Sequence, residues 1–127
     1  MTSGCPSRFE LRRRLAGTYD RGWRGDYTFT CLTGCAQMSL VWGRLFELTG
    51  DARYLNGVLK LNDFLVTLID LTSPCLGIRG GVKGSHPLWG PYMTCRFPSW
   101  AAKFTLDALF QEEDALARIN DDALSWR

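Results

Sequence analysis

The sequence predicts an all-α protein built from an antiparallel helical hairpin, a long glycine- and proline-rich loop and a third helix. Polar residues recur every three or four positions across 53–70, and an almost continuous apolar stretch covers 32–49. Between the two stretches stands Thr49-Gly50-Asp51, a typical junction of two helices. With 127 residues, 46% of them hydrophobic, the chain can bury one core without disulfide support.

The hairpin is the clearest element. Gly50 is expected to take the left-handed conformation that ends the first helix, and Asp51 to cap the second. Such a short connection makes the two helices antiparallel. The first helix is apolar nearly all round, which predicts a buried position, whereas the second has one solvated stripe formed by Arg53, Asn56, Lys60, Asp63, Thr67 and Asp70.

The rest of the chain divides by composition into an entry segment, 1–30, the hairpin, 31–71, a loop, 72–97, and a third helix, 98–111. Pro98 and Ser99 suit the first turn of that helix, which is expected to end near Gln111. The acidic C-terminal segment, 112–127, is expected to form a short, weakly held final helix. The loop has five glycines and three prolines but enough apolar residues to be ordered, and loops this long are usually functional or disordered.

Charge and cysteine content restrict the class of protein. The net charge of +2 is too balanced for a nucleic-acid binder. No segment has the ~18 uncharged residues of a membrane span, so no membrane partner is expected. Five irregularly spaced cysteines without an export signal predict free thiols and a cytoplasmic location.

The loop region is basic, because 71–106 contains no Asp or Glu. It carries Arg79, Lys83, Arg96 and Lys103 together with His86, which suits a carboxylate, phosphate or sulfate ligand. The alternative is that these cations pair with the six acids of 107–122.

If the first and third helices are parallel, the segments before them meet at one end of the fold, where two positive helix dipoles favour an anionic ligand. Asp26 and His86 are then the candidates for proton transfer, although a structural role for His86 is an alternative. The candidate binding residues are Trp23, Tyr27, Arg79, Lys83, Trp89, Tyr92 and Arg96. The aromatic residues among them would stack on a sugar ring or anchor the loop to the core.

Two other motifs are discounted. The stretch 80–85 lacks the spacing of a phosphate-binding loop. Cys31 and Cys35 stand one helical turn apart, but no CxxC pair accompanies them, so no zinc site is expected. The sequence therefore predicts neither a metal nor another cofactor.

The stretch 45–55, with its Thr-Gly-Asp turn, resembles the repeat of the (α/α) toroid proteins, the six-hairpin glycosidase-like superfamily. The stretches 22–38, 77–85 and 100–104 resemble more closely a group of uncharacterised toroid proteins associated with polysaccharide biosynthesis. The resemblance covers 18–109 and implies an all-α partial toroid. Since a closed toroid needs far more than 127 residues, the chain is expected to be a terminal part of a longer protein or a remnant that needs a partner.

The leading functional expectation is a protein that binds or processes an anionic carbohydrate. Arg79, Lys83 and Arg96 would hold the anion, and Trp89 and Tyr92 the ring. If the chain is an enzyme, the resemblance implies a glycoside hydrolase or lyase acting on a polysaccharide. One alternative is a non-catalytic module that forms homo-oligomers, and another is an isoprenoid-diphosphate enzyme similar to terpenoid cyclases and prenyltransferases, for which an Asp-rich metal motif is missing.

Overall fold

The computed structural model describes residues 13–125 and contains three helices, α1 (Leu32–Thr49), α2 (Ala52–Thr67) and α3 (Ser99–Ser125). The predicted hairpin is confirmed. Gly50 ends α1 with a φ of 69°, and its N–H donates to the Phe46 carbonyl at 2.8 Å. The Asp51 carboxylate caps α2 by accepting from the Arg53 N–H at 2.9 Å.

Helix α1 lies between the other two helices and approaches both of them through glycines. A Cβ atom on Gly57 of α2 would lie 2.7 Å from the Trp42 indole, and one on Gly43 of α1 would lie 2.0 Å from the Gln111 amide oxygen of α3. Gln111 Nε2 donates to the Leu40 carbonyl, and one turn or more further along both helices Arg118 faces Glu47. Helices α1 and α3 are therefore parallel, which is the condition on which the predicted site depended.

The core is formed where the helices meet the loop. Its buried members come from all three helices and from the loop, and they are Leu32, Cys35, Ala36, Leu61, Leu65, Val82 and Ala101. Because Val82 belongs to the glycine-rich segment, the core ties this part of the loop to α1. The expectation of an ordered loop is confirmed.

Two small antiparallel sheets accompany the helices. Strands β1 (Thr18–Tyr19) and β2 (Gly25–Asp26) form one sheet, and β3 (Thr30–Cys31) and β4 (Ser85–His86) form the other. The prediction of an all-α partial toroid made of antiparallel hairpins is therefore wrong, since the fold is mixed α/β. The strands escaped prediction because two residues are too few to show an alternating pattern. The partners of β3 and β4 are also more than 50 residues apart in the chain.

The third helix also differs from its predicted extent. It runs without a break from Ser99 to Ser125, past the expected end near Gln111. No glycine or proline interrupts 112–125, and Ala115 is buried beyond the predicted end. Helix α1 is likewise less enclosed than predicted, because Val41 and Leu48 are exposed on one side of it.

Two further findings bear on the location of the protein. None of the helices in the described part of the chain is long and apolar enough to cross a membrane. Cys31, Cys35, Cys75 and Cys95 are free thiols, and Cys5 lies outside the described residues.

Candidate functional site

The loop folds back onto the start of α1. The Leu32 N–H donates a hydrogen bond to the Gly84 carbonyl at 3.1 Å. The Gly84 N–H donates in turn to the Arg96 carbonyl at 2.9 Å. Next to it, β4 pairs with β3, so that His86 stands opposite Thr30. The only histidine of the chain is thereby placed beside the N-terminal end of α1.

His86 has an unusual environment. Its ring meets Phe64 edge-on, with centroids 6.2 Å apart, and its Nδ1 atom is buried without a hydrogen-bond partner among the described residues. Burial lowers the pKa of His86 below its ordinary value, and the charges of Lys83 and Arg14 lower it further. The imidazole is therefore held in its neutral form.

Lys83 and Arg14 complete a group that we term the cation cluster (Arg14, Lys83 and His86). Lys83 is half-buried, burial lowers the pKa of its amine, and it makes no ion pair with any described acid. Arg14 donates to Thr30 Oγ1 at 2.7 Å and to the Tyr27 carbonyl at 3.0 Å, and it lies over the Tyr27 ring. These bonds use two of the five guanidinium N–H donors, and no described residue is recorded as accepting from the other three.

The two candidates for proton transfer are not joined to each other. The Asp26 carboxylate is exposed on β2, where it accepts from the Thr28 N–H at 2.9 Å and from the Thr28 hydroxyl at 2.6 Å. These bonds lower the pKa of Asp26, so it is ionised at neutral pH. Within residues 13–125 no hydrogen bond or ion pair connects Asp26 to His86.

The remaining basic residues of the loop are Arg79 and Arg96. Arg79 is exposed and donates through Nε to the Ser73 carbonyl at 2.8 Å, and Arg96 is exposed. Neither forms an ion pair with a described acid, whereas Lys103 pairs with Asp107 of its own helix. The alternative was that the acids of 107–122 neutralise the basic residues of 71–106. Among the described residues, Lys103 is the only one of these cations that forms such an ion pair.

The aromatic candidates occupy three places. Trp89 is exposed in the loop, and the Tyr92 hydroxyl accepts from Trp100 Nε1 at 3.2 Å. Tyr27 lies beneath Arg14, next to the cation cluster. Trp23 stands at the tip of the β1–β2 hairpin, with 81% of its surface exposed.

Sequence reasoning missed Arg14 as a site residue. It ends a run of arginines at 12–14, and nothing in its spacing relates it to a loop about 70 residues later. Tyr19 was missed as well, because two-residue strands hide which side chains share a face of the hairpin.

A separate groove of about 360 Å³ lies between α2 and α3 and is lined by Arg13, Leu59, Lys60, Asp63 and Glu112. Its two cations and two carboxylates balance, and Arg13 approaches Asp63 at 3.9 Å. It is therefore less suited to an anionic ligand than the cation cluster.

Compared with models of protein families, with curated proteins and with solved structures, the chain produces no significant match.

Proposed function

We propose that this protein binds an anionic carbohydrate at the cation cluster. The observation that carries the proposal is the pair of cations, Lys83 and Arg14, which lie beside half-buried His86 and which no described acid neutralises. Lys83 and Arg14 would supply the charge that selects an acidic ligand.

A sugar suits the cluster better than a bare anion. The ring of neutral His86 has one nitrogen that donates and one that accepts, which matches the two hydrogen-bonding modes of a sugar hydroxyl. The Tyr27 ring beneath Arg14 adds a flat apolar surface of the kind on which a sugar ring packs.

The proposal concerns binding rather than turnover. A glycosidase-like reaction needs two carboxyl groups in one pocket, about 5–9.5 Å apart. None of the described contacts of the cluster involves an acid. We place the protein in a reducing compartment such as the cytoplasm, where its exposed thiols, Cys75 and Cys95, would remain reduced.

Titration calorimetry with uronic-acid oligosaccharides tests the proposal. Lys83→Gln and His86→Gln are each expected to weaken binding about tenfold, the equivalent of one charge-assisted hydrogen bond. Lys60→Gln, which removes another half-buried lysine on the far groove, serves as the matched control and is expected to bind like the wild type. Absence of binding by the wild type at millimolar ligand, or wild-type affinity in Lys83→Gln, would refute the proposal.

The exposed apolar face of α3 favours a second candidate function, self-association. Leu106, Phe110 and Leu124 are 54%, 61% and 62% exposed, and their spacing places them on one face of the helix. Antiparallel pairing of two copies along this face sets Leu106 against Leu124 of the second copy.

Sedimentation equilibrium tests self-association by distinguishing a dimer from a monomer. The wild type is expected to dimerise in the micromolar range and Phe110→Glu to be monomeric, because burying the new carboxylate is unfavourable. Val41→Glu, an equally polar change on exposed α1, is the control that should leave the dimer intact. A monomeric wild type at several hundred micromolar would exclude the dimer.

A further inference from the structure

Three aromatic rings lead away from the cation cluster across the β1–β2 hairpin. The first is Tyr27, whose ring centroid lies 5.8 Å from the Arg14 guanidinium. Next to it is Tyr19, and the third is Trp23, whose ring centroid lies 6.2 Å from that of Tyr19. We term Tyr27, Tyr19 and Trp23 the aromatic track.

Gly25 allows the first two rings to lie side by side. A Cβ atom at this position would be 2.8 Å from Tyr27 Cε2 and 3.1 Å from Tyr19 Cε1, so both rings pack directly over its backbone. Burial raises the pKa of Tyr19; a hydrogen bond from the Ala16 N–H partly offsets this effect, and the neighbouring Tyr27 adds to the increase. The Tyr19 and Tyr27 rings are thus held together on one face of the hairpin.

The far end of the track is rigid and exposed. Trp23 has a φ of 59°, a left-handed conformation that costs a bulky residue about 1–3 kcal/mol. The turn is fixed around Asp20, whose Oδ1 atom accepts from the Gly22 and Arg24 N–H groups at 2.8 and 2.9 Å. Since the indole is 81% exposed, burial within this chain does not offset that strain.

The tip also carries charge. Arg21 and Arg24 flank Trp23, both are exposed, and neither forms an ion pair with an acid of the described residues. Asp20 and Asp26 balance the two arginines in formal charge, but the Asp20 carboxylate engages backbone amides and Asp26 engages Thr28, so neither is bonded to a guanidinium group. An exposed aromatic ring between two free guanidinium groups suits a flat ring that bears an anion.

We infer that the ligand is an oligosaccharide of acidic sugars that places one unit in the cation cluster and further units along Tyr27, Tyr19 and Trp23, with Arg21 and Arg24 holding an acidic unit at the tip. This inference rests on the proposed function. It goes beyond it by naming a chain rather than a single sugar as the ligand. Each stacked ring adds contact, so affinity increases with chain length until the track is filled.

Calorimetry with galacturonic acid, its linear trimer and its linear hexamer tests the inference. For the wild type, affinity is expected to rise at least tenfold from the monomer to the hexamer. Trp23→Ala is expected to lose most of that gain while binding the monomer like the wild type, and Trp23→Phe to keep most of it because a ring remains. Leu71→Ala removes a similarly exposed apolar side chain outside the track and is the control.

The possible outcomes distinguish failure of the aromatic track from failure of the proposed function. If the wild type binds monomer and hexamer equally, or if Trp23→Ala weakens both alike, the track is overturned and the proposed function stands. If neither the monomer nor any oligomer binds, both are overturned. Circular dichroism of each variant confirms that the loss of affinity comes from the ring and not from unfolding.

Discussion

Ser39 of α1 and Asn62 of α2 are joined by a hydrogen bond of 2.7 Å inside the core, with the Ser39 hydroxyl donating to Asn62 Oδ1. Asn62 Nδ2 donates in turn to the Ala108 carbonyl and to a Glu112 carboxylate oxygen of α3. One buried amide thus connects all three helices.

Asn62→Ala is therefore expected to destabilise the fold by about 2–3 kcal/mol, because it removes the acceptor of the buried Ser39 hydroxyl and the amide donor to the Ala108 carbonyl and the Glu112 carboxylate. Urea unfolding monitored by circular dichroism measures the change. Asn56→Ala, on the exposed face of the same helix, should stay within about 0.5 kcal/mol of the wild type. Equal effects of the two substitutions would show that the amide does not connect the helices in solution.

The two close glycine contacts of α1 should respond differently to an added methyl group. Gly57→Ala meets the rigid Trp42 indole at 2.7 Å and is expected to cost about 1–3 kcal/mol. Gly43→Ala meets only the end of the Gln111 side chain, which can swing away, and the gain in helix propensity of up to about 1 kcal/mol offsets the lost bond. Thermal unfolding measures the stability of both variants. A larger loss of stability in Gly43→Ala than in Gly57→Ala would contradict the packing described.

Stability should fall as the pH drops below neutrality. The pKa of His86 is lowered from 6.5 by burial, Lys83 and Arg14, so the folded state binds its proton less readily than the unfolded state. The contribution of neutral His86 is complete above pH 6.5 and is lost as the pH falls from there toward its lowered pKa.

Urea unfolding of the wild type and His86→Gln between pH 5 and pH 8 tests this dependence. The variant should lose the slope in this range, and the chain contains no second histidine that could supply it. The depressed pKa values of Asp26, Asp51 and Asp70 act only below about pH 4 and do not interfere. An unchanged slope in His86→Gln would assign the dependence to another group.

The thiols should differ strongly in reactivity. Burial raises the pKa of Cys35 to about 11, whereas Cys75 and Cys95 are exposed. At pH 8, iodoacetamide is expected to modify Cys75 and Cys95 at least tenfold faster than Cys35, because the thiolate is the reactive form. Peptide mass spectrometry reads the rates, and unfolding in urea should remove the difference. Fast labelling of Cys35 in the folded protein would contradict its burial.

Local sequence signals were sufficient for the hairpin. The bounds of α1, the left-handed Gly50 and the Asp51 cap all depend on residues within a few positions of one another. The parallel direction of α1 and α3 was only a condition of the predicted site, because no short connection joins these two helices. The charge of the loop was also visible, since the absence of acids across 71–106 needs no structure to recognise.

The candidate site was only partly predictable. Lys83, His86 and Tyr27 lie in or beside the cation cluster, whereas among the described residues no recorded side-chain contact joins Arg79, Arg96 or Trp89 to it. A sequence places these residues in the same loop without indicating which way each side chain turns. Arg14 joins them only because β3 pairs with β4 across more than 50 residues of chain.

The sequence by itself determined the hairpin of α1 and α2, its caps and the sign of the charge of the loop, because these depend on neighbouring residues and on composition. The tertiary structure alone decided that α3 continues to Ser125 and that two short sheets make the fold mixed α/β. It also decided that Asp26 bonds to Thr28 rather than to His86, that Arg14 lies over Tyr27, and that Tyr19 and Trp23 are ring neighbours. The physical reason is that a two-residue strand and a side-chain contact gain their stability from partners distant in the chain, which no local pattern records.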